Sequence, residues 1–542
     1  MRTEVAVVVA AYFAALLGWG LYTFVRGYRR GGGTLEERYV GTRSFGAGAL
    51  VATLVAAWAS NYTLLAAAES GFRYGLSGPI WYALGVGLPI LFFVWPVNLV
   101  RRIRESMGGG VTLVEYVGRR YDARTRLVAL LVVLLSSVLY IISVILAIGI
   151  VLSSLLGIDA RTATVIGGVV LILYTALGGF EAQVWSHVYQ LVLAGLSVAV
   201  ALVLTVQRVG MGEFVDAVGG ERANVLAWGP VSMADFFLVL TALTIASPVI
   251  WQRIFSARDE RSATRAMVWF APTWIPFAIG SGLMGIAAAQ LLPALNPSEA
   301  ATGLVVDLFP TWAAVLFLLG GMALVFSSGD ATINNVASIV HVDIIRNYFR
   351  TELSARGSLY LSFGLQLGLG LVGILGALTF TSILNLLVIN SAVNIALIFP
   401  LYLGLVWRNA SSTGAFWSIL ISLGVGGTLI VLDAGPVANL VALVLSVVVI
   451  VGLSWLRPAT GRRELGRPAL GALLAVGLYA AVYAVATAVE GADLPLPGGT
   501  VYLLLAYALL GTIAMFTVLP VLALRRQQEP AAQEREFQHV AD

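Results

Sequence analysis

The chain of 542 residues has no cysteine, no lysine and three histidines, and charged residues make up only 11% of it. The absence of cysteine excludes disulfides, thiolate metal sites and a cysteine nucleophile. His187, His341 and His539 do not have a metal-binding spacing such as H-E-x-x-H, and no phosphate-binding glycine loop is present. These absences argue against an enzyme and against transport driven by ATP.

Apolar residues dominate what is there: 59% are hydrophobic and the mean hydropathy is +0.91. Soluble domains carry about 25% charged residues, and about 18 consecutive apolar residues can span a bilayer. The sequence therefore predicts an all-α polytopic protein whose main partner is the lipid bilayer, without nucleic acid. Fifteen apolar segments are predicted, at residues 5–25, 44–68, 79–100, 127–156, 162–179, 182–207, 235–256, 266–293, 311–342, 358–379, 382–407, 414–433, 437–456, 470–489 and 500–524.

The arginines predict the orientation of these segments. If the N-terminus lies outside and fifteen segments alternate, 27 of the 32 arginines fall on the cytoplasmic side, including Arg253 in the loop 253–265. Cytoplasmic loops are enriched in basic residues, so we expect an inner (plasma) membrane protein with its C-terminus in the cytoplasm. The first segment is too long for a signal peptide and is interpreted as a retained helix.

One apolar segment contains a polar stripe, in the stretch MALVFSSGDATINNVASIVHVD at 322–343. An acidic residue in the middle of a spanning helix costs about 2.5–3.5 kcal/mol and normally faces the bundle interior or a wet cavity. Asn334 and Ser338 fit ordinary interhelical hydrogen bonds, whereas the cluster around Asp330 indicates an ion or proton path. At helical spacing, one face carries Ser327, Asp330, Asn334, Ser338 and His341.

Adjacent hydroxyls at Ser327 and Ser328 would suit a small hard cation if a broken helix opposite supplied backbone carbonyls, as in many transporters. The segment 44–68 offers such a helix, because it is rich in alanine and contains Asn61 and Thr63. The alternative is a pair of helices packed through small residues without an ion.

The chain resembles the sodium/solute symporter family, which includes sugar, proline, pantothenate and urea transporters, over about residues 40–460. The patches AAWASNYTLL, FRYGLSGPIWYALGVG and PVIWQR are most similar to the urea-transporter branch. Three patches carry the family resemblance: LYTALGGFEAQVWSHVYQ at 173–190, VIWQRIFSARDERSATRA at 249–266 and SSGDATINNVASIVHVDII at 327–345.

The resemblance implies a LeuT-type fold of five plus five helices in an inverted repeat. The core would occupy 44–409, with repeats at about 44–207 and 235–407. An extra N-terminal helix and a loop would occupy 1–43, and about four peripheral helices with a short tail would occupy 410–542.

The resemblance also implies a sodium site between the first and eighth core helices. Its ligands would be the hydroxyls of Ser327 and Ser328 and the carbonyls of Ala56, Ala59 and Leu324.

A second site is altered in this chain. His187 stands where some members have an aspartate, and Asp330 stands where they have a hydroxyl. If the two side chains meet, an opposite charge favours a protonated histidine beside an ionised aspartate, which would replace a bound cation. A titratable proton relay is the alternative, because histidine changes charge near neutral pH.

The solute is expected beside the sodium site, where the first and sixth core helices break. Pro248 gives the second break a physical cause, because it lacks an N–H and clashes with the preceding turn. Aromatic side chains suit a small planar solute. The candidate solute residues are Trp58, Tyr62, Thr63, Ser247 and Trp251, with Trp81 and Tyr82 as further lining and Glu69 nearer the outer end.

The expected function is symport of sodium with a small polar solute, urea or a urea-like amide first, by a chain that needs no second subunit. Proton-coupled symport through Asp330 and His187 is one alternative, and sodium symport of an amino acid, a sugar or a monocarboxylate is another. Passive facilitation is a second class, which would not concentrate the solute.

Overall fold

The computed structural model describes residues 2–491, apart from residues 30–33, 96–97, 108, 381–382, 433–435 and 462–464. Over these residues the chain is helical and has no β-strand, only a single bridge between Phe45 and Ala257. The prediction of an all-α protein is confirmed. Helices suit lipid because each one satisfies its own backbone hydrogen bonds.

The helices of the described residues are numbered in chain order. They are α1 Arg2–Arg29, α2 Leu35–Val40, α3 Ala47–Trp58, α4 Ala67–Tyr74, α5 Ser77–Gly87, α6 Leu99–Met107, α7 Leu113–Arg120, α8 Ala123–Leu156, α9 Ala160–Val209, α10 Met211–Val218, α11 Pro230–Ile245, α12 Pro248–Ser256, α13 Glu260–Leu291, α14 Ala300–Leu308, α15 Thr311–Ile339, α16 Ala355–Ala377, α17 Ile383–Val406, α18 Ser412–Val431, α19 Pro436–Leu456 and α20 Arg467–Gly491.

Ten helical segments in this part of the chain are long and apolar enough to cross a membrane, and a bent pair makes an eleventh. Three shorter apolar helices are Ser77–Phe93, Val393–Val406 and Pro468–Ala481. The protein is therefore an integral membrane protein with several spans. The count of fifteen stays a prediction, and the segment 500–524 lies outside the described residues.

The first core helix is broken in the middle. α3 ends at Trp58, a π-helical turn begins at Tyr62, and the two halves of the helix are bent by 62°. Thr63 donates a hydrogen bond across the break, from Oγ1 to the carbonyl of Trp58 at 2.8 Å. The second half packs tightly on α13, since a Cβ at Gly285 would lie 1.9 Å from the carbonyl oxygen of Ala68. Side-chain bonding and close packing thus hold a break that lipid alone would not tolerate.

The sixth core helix breaks between Ile245, the last residue of α11, and Pro248, the first residue of α12. Proline suits a first helical position because the N–H that it lacks would have no partner there. Ser247 caps the new helix by accepting a hydrogen bond from the N–H of Ile250 at 3.4 Å. The break predicted at Pro248 is confirmed.

A single glycine divides the fifty-residue helix α9. Gly179 has φ 72° and ψ 176°, a conformation that glycine adopts readily and other residues rarely do. The two apolar segments Ala160–Phe180 and Gln183–Val209 meet at this glycine. They correspond to the two segments predicted separately at 162–179 and 182–207.

The polar stripe lies on the central helix. α15 is buried continuously from Gly320 to Ile339 and packs against α8, α9, α3 and α16, and α1 packs against α9. The side chains of the stripe therefore face protein on every side. This location explains how a spanning helix can carry Asp330.

Cysteine substitution can test the predicted orientation, because the chain has no cysteine of its own. Glu213 on α10 and Glu352 before α16 are both exposed and fall on opposite predicted sides. We expect a membrane-impermeant maleimide to label Glu213→Cys in intact cells and Glu352→Cys only after lysis. The opposite labelling pattern would show that the orientation is inverted.

Candidate ion and solute site

The hydroxyl pair on α15 faces the break in the first core helix. Oγ of Ser327 lies 2.7 Å from the carbonyl oxygen of Ala56 and 2.8 Å from that of Leu324. Oγ of Ser328 donates to the carbonyl of Val325 at 2.9 Å, within its own helix. Both serines are completely buried. The structure thus brings three of the five predicted sodium ligands within contact distance and places the fourth beside them.

Ala59, the fifth predicted ligand, lies in the break itself. Its backbone has ψ 63°, outside the helical region, so its carbonyl departs from the direction of the carbonyls in α3. The donor set is then two hydroxyls and three carbonyls, all neutral oxygens. Such oxygens suit a hard monovalent cation, and broken transporter helices bind sodium through unwound carbonyls of this kind.

The structure brings His187 and Asp330 together. Nε2 of His187 lies 2.9 Å from Oδ1 of Asp330, and Gln183 donates from Nε2 to the same oxygen at 3.0 Å. His187 is completely buried and Asp330 is 1% exposed. The contact joins α9 to α15 in the protein interior.

The pair continues into a longer chain of hydrogen bonds. Nδ1 of His187 lies 2.8 Å from Oγ1 of Thr53 on α3, and Nη2 of Arg253 on α12 donates to the same hydroxyl at 3.2 Å. The guanidinium of Arg253 also donates to Oε1 of Gln252 at 2.8 Å and lies 5.3 Å from the ring centroid of Phe180.

The structure corrects the position of Arg253. The residue was counted with the cytoplasmic arginines of 253–265, although it also falls in the predicted apolar segment 235–256, and the structure shows that it is completely buried within the segment Asp235–Ser256. The position of Arg253 depends on how α12 packs against α3 and α15. Counting the arginines of each loop gives no information about that packing. A basic residue at the end of an apolar segment was the available signal.

A cavity of about 680 Å³, including its mouth, opens where the two broken helices meet. Trp58, Tyr62 and Ser247, which were predicted to contact the solute, line it, and so does Tyr82. The described residues of the lining are Ala57, Trp58, Ser60, Tyr62, Tyr82, Val86, Ser136, Ser137, Tyr140, Leu240, Leu243, Ser247, Pro248, Val249, Thr332, Asn335, Asn390 and Asn394.

Four other candidates lie outside this lining. Glu69 forms an ion pair with Arg73 at 3.0 Å, and the polar atoms of the other three bond the backbone. The hydroxyl of Thr63 bonds across the first break, as described above. The indole of Trp251 donates to the carbonyl of Ile245 at 3.0 Å across the second break. Trp81 donates to the carbonyl of Val225 at 2.8 Å. Thr63 and Trp251 therefore stabilise the breaks, and neither lines the cavity.

Several polar lining residues were missed from the sequence. Ser136 on α8 donates to Oδ1 of Asn390 at 2.6 Å, and Asn394 donates from Nδ2 to Oγ of Ser136 at 2.7 Å. Asn335 on α15 donates to the carbonyl of Pro248 at 3.2 Å, and its buried Oδ1 has no hydrogen-bond partner among the described residues. The signal that could have found them is the one used for Asp330, a polar residue inside an apolar segment.

The described lining contains amides, hydroxyls, aromatic rings and aliphatic groups, but no side chain that is ionised at neutral pH. The charged residues nearby, Asp330 and Arg253, lie outside it. A site of this composition can hold a small uncharged molecule between rings and orient it through a few hydrogen bonds.

Two helices broken midway, a polar cavity between the breaks and a set of neutral oxygens beside it define the class of secondary transporters. The chain matches the sodium:solute symporter family over residues 38–422. It belongs to that family.

Curated relatives have different named solutes. The chain is 27% identical to a urea-proton symporter of rice over 72% of this chain and 61% of the rice protein, and it thus spans about three fifths of that relative. It is 25% identical to the sodium/pantothenate symporter of Escherichia coli over 78% and 89% of the two chains. A probable urea active transporter of Schizosaccharomyces pombe is 23% identical over 64% and 57%.

Solved structures support the fold. A substrate-bound, outward-open Na+-coupled sialic acid symporter matches with a TM-score of 0.68 at 18% identity, over 83% of this chain and 98% of that one. A nucleobase-cation-symport-1 family transporter matches with a TM-score of 0.52 at 17% identity, over 77% and 94%. The LeuT-type fold implied by the resemblance is confirmed.

We expect His187→Ala to destabilise the protein and impair transport, because the buried Asp330 would lose a hydrogen-bond donor. Loss of a bond to a buried charged group costs about 1.5–3 kcal/mol. The melting temperature of purified protein measures the change, with Trp185→Leu, an exposed position on the same helix, as control. A His187→Ala protein as stable and active as wild type would show that the contact is unimportant.

Proposed function

We propose that this protein couples an inward sodium gradient to uptake of a small, uncharged polar solute, with urea as the first candidate. The observation that carries the proposal is the position of an uncharged, partly aromatic cavity directly beside the cluster of neutral oxygens at the first break. One site suits a cation and the other suits a neutral solute. Both depend on the same broken helix.

The sodium assignment rests on the donor set. Ser327 and Ser328 with the carbonyls of Ala56, Ala59 and Leu324 offer oxygens only, which favours a hard ion. These residues belong to α15 and to the two sides of the break after α3. An ion bound there would hold α3 against α15, so its binding would favour one of the two access states.

The solute assignment rests on charge, shape and free polar atoms. A monocarboxylate or a cation would ordinarily be paired with an opposite charge, and the described lining supplies none. Urea is planar and can lie against Trp58, Tyr62 or Tyr82. Its N–H groups could donate to Oδ1 of Asn335. The names of the rice and fission yeast relatives agree with this choice.

Proton coupling is the second candidate, and one observation favours it. His187 and Asp330 are in contact, and histidine titrates near neutral pH. The rice relative is named a urea-proton symporter. The alternatives for the solute remain an amino acid, a sugar or a monocarboxylate, and passive facilitation remains the alternative class.

Uptake of labelled urea into proteoliposomes tests the proposal, with an inward sodium gradient or an inward proton gradient imposed separately. We expect accumulation above the external concentration with sodium alone. Accumulation with protons alone would make His187 and Asp330 the coupling element. Entry without accumulation would indicate passive facilitation, and no entry would remove urea while other neutral solutes are screened.

We expect Ser328→Ala to raise the sodium concentration needed for half-maximal uptake by about tenfold, which corresponds to about 1.4 kcal/mol. The reason is the loss of one oxygen ligand, while the other four stay in place. Ser338→Ala is the matched control, because Ser338 is a buried serine on the same helix whose hydroxyl bonds a backbone carbonyl of that helix. Unchanged sodium activation in Ser328→Ala would remove Ser328 from the site.

A further inference from the structure

Arg253 is a completely buried cation, and in the described part of the chain no carboxylate lies within 4 Å of its guanidinium. Its direct side-chain contacts are Gln252, Thr53 and the ring of Phe180, all uncharged. A charge so far from water normally requires an opposite charge. Hydrogen bonds through Thr53 and His187 connect it to the carboxylate of Asp330.

The atoms between the two charges form one directional chain. Arg253 can only donate, so Thr53 accepts its N–H at Oγ1. When Nε2 of His187 carries the proton of a neutral ring, Thr53 donates its single hydroxyl proton to Nδ1, which lies 2.8 Å from Oγ1. Nε2–H of His187 donates to Asp330, which also accepts from Gln183. Each donor points from the cation toward the anion, and hydrogen bonds aligned in this way strengthen one another.

When His187 is neutral with its proton on Nε2, each hydrogen bond from Arg253 to Oδ1 of Asp330 has one donor and one acceptor, while Oδ2 of Asp330 has no hydrogen-bond partner among the described residues. If His187 were protonated, Nδ1 would also donate to Thr53, and one hydroxyl would accept from two cations. Two positive groups would then share one negative group in the interior. The charges balance when Arg253 and Asp330 are ionised and His187 is not.

We propose that Arg253 is the permanent counter-cation of Asp330, connected to it by Thr53 and a neutral His187, so that the contact between α9 and α15 requires neither a second sodium ion nor a proton. This charge relay differs from the expected arrangement, in which a protonated His187 neutralised Asp330. Its consequence for coupling, one sodium ion per cycle, rests on the proposed function. The electrostatic part stands without it.

Other titratable groups near Asp330 do not change this balance. Tyr12 on α1 and Tyr174 and Tyr189 on α9 also interact with its charge. Phenols titrate near pH 10, so they are neutral under working conditions.

Melting temperatures of the purified protein test the relay without any transport. We expect Arg253→Gln and Asp330→Asn each to lower the melting temperature, because each leaves one buried charge without its partner. The double variant should lose clearly less than the sum of the two, since it removes both charges. Additive losses would overturn the proposal.

The control for this cycle is Arg104→Gln combined with Asp330→Asn. Arg104 donates to the carbonyls of Ile254 and Ala257, next to Arg253 in the chain, and is not connected to Asp330. For this control pair, the two decreases in melting temperature should add. If Arg253→Gln does not fold, Thr53→Val keeps the charges and removes only the connecting hydroxyl. It should lower the melting temperature, and an unchanged value would overturn the relay.

The sodium dependence of transport is a second test, because a purely structural role of Arg253 would not determine it. In wild-type proteoliposomes we expect a Hill coefficient for sodium near one, because Arg253 already balances the charge of Asp330 and no second sodium ion is needed there. A Hill coefficient near two would contradict the relay.

The two proposals can fail separately. Additive melting losses together with sodium-driven uptake would remove the relay and keep the proposed function. Coupled melting losses in a protein that does not use sodium would keep the relay and remove the proposed function.

Discussion

Lipid offers no hydrogen bonds, so every departure from helical backbone in this protein must be satisfied by the protein itself. The two breaks in the core meet this constraint with different side chains. Thr63 bonds the carbonyl of Trp58 at the first break. Ser247 and Trp251 cap and bridge the second, where Pro248 has no N–H to satisfy. The cavity exists because both breaks are held at the same place.

The same constraint separates charge from solute. The described residues that line the cavity are uncharged, and Asn390, Asn394 and Ser136 bond one another there. The two charged groups, Asp330 on α15 and Arg253 on α12, do not line the cavity. They are connected to each other through Thr53 and His187. An uncharged solute therefore need not displace or compensate any ion pair when it enters.

Much of the architecture could be predicted, because each signal was local. Ser327, Asp330 and His187 stand out as polar residues in apolar segments, and Pro248 carries its own steric reason for a break. The partners could not be predicted in the same way. Thr53 is an ordinary residue of an apolar helix, and Arg253 counted equally well as a loop arginine. Their roles depend on the packing of four helices from distant parts of the chain.

Geometry along two helices links the sodium oxygens to the relay. Ala56 and Thr53 are three residues apart on α3, and Ser327 and Asp330 are three apart on α15, so each pair shares a helix face. α3 therefore meets its neighbours through two contacts one turn apart: Ala56 touches Ser327 directly, and Thr53 reaches Asp330 through His187. The first contact contains oxygens that could bind a cation, whereas the second connects two charged side chains of the protein itself. A movement that draws α3 away from α15 must break both, and under the proposed function only the first would change in strength with the sodium concentration.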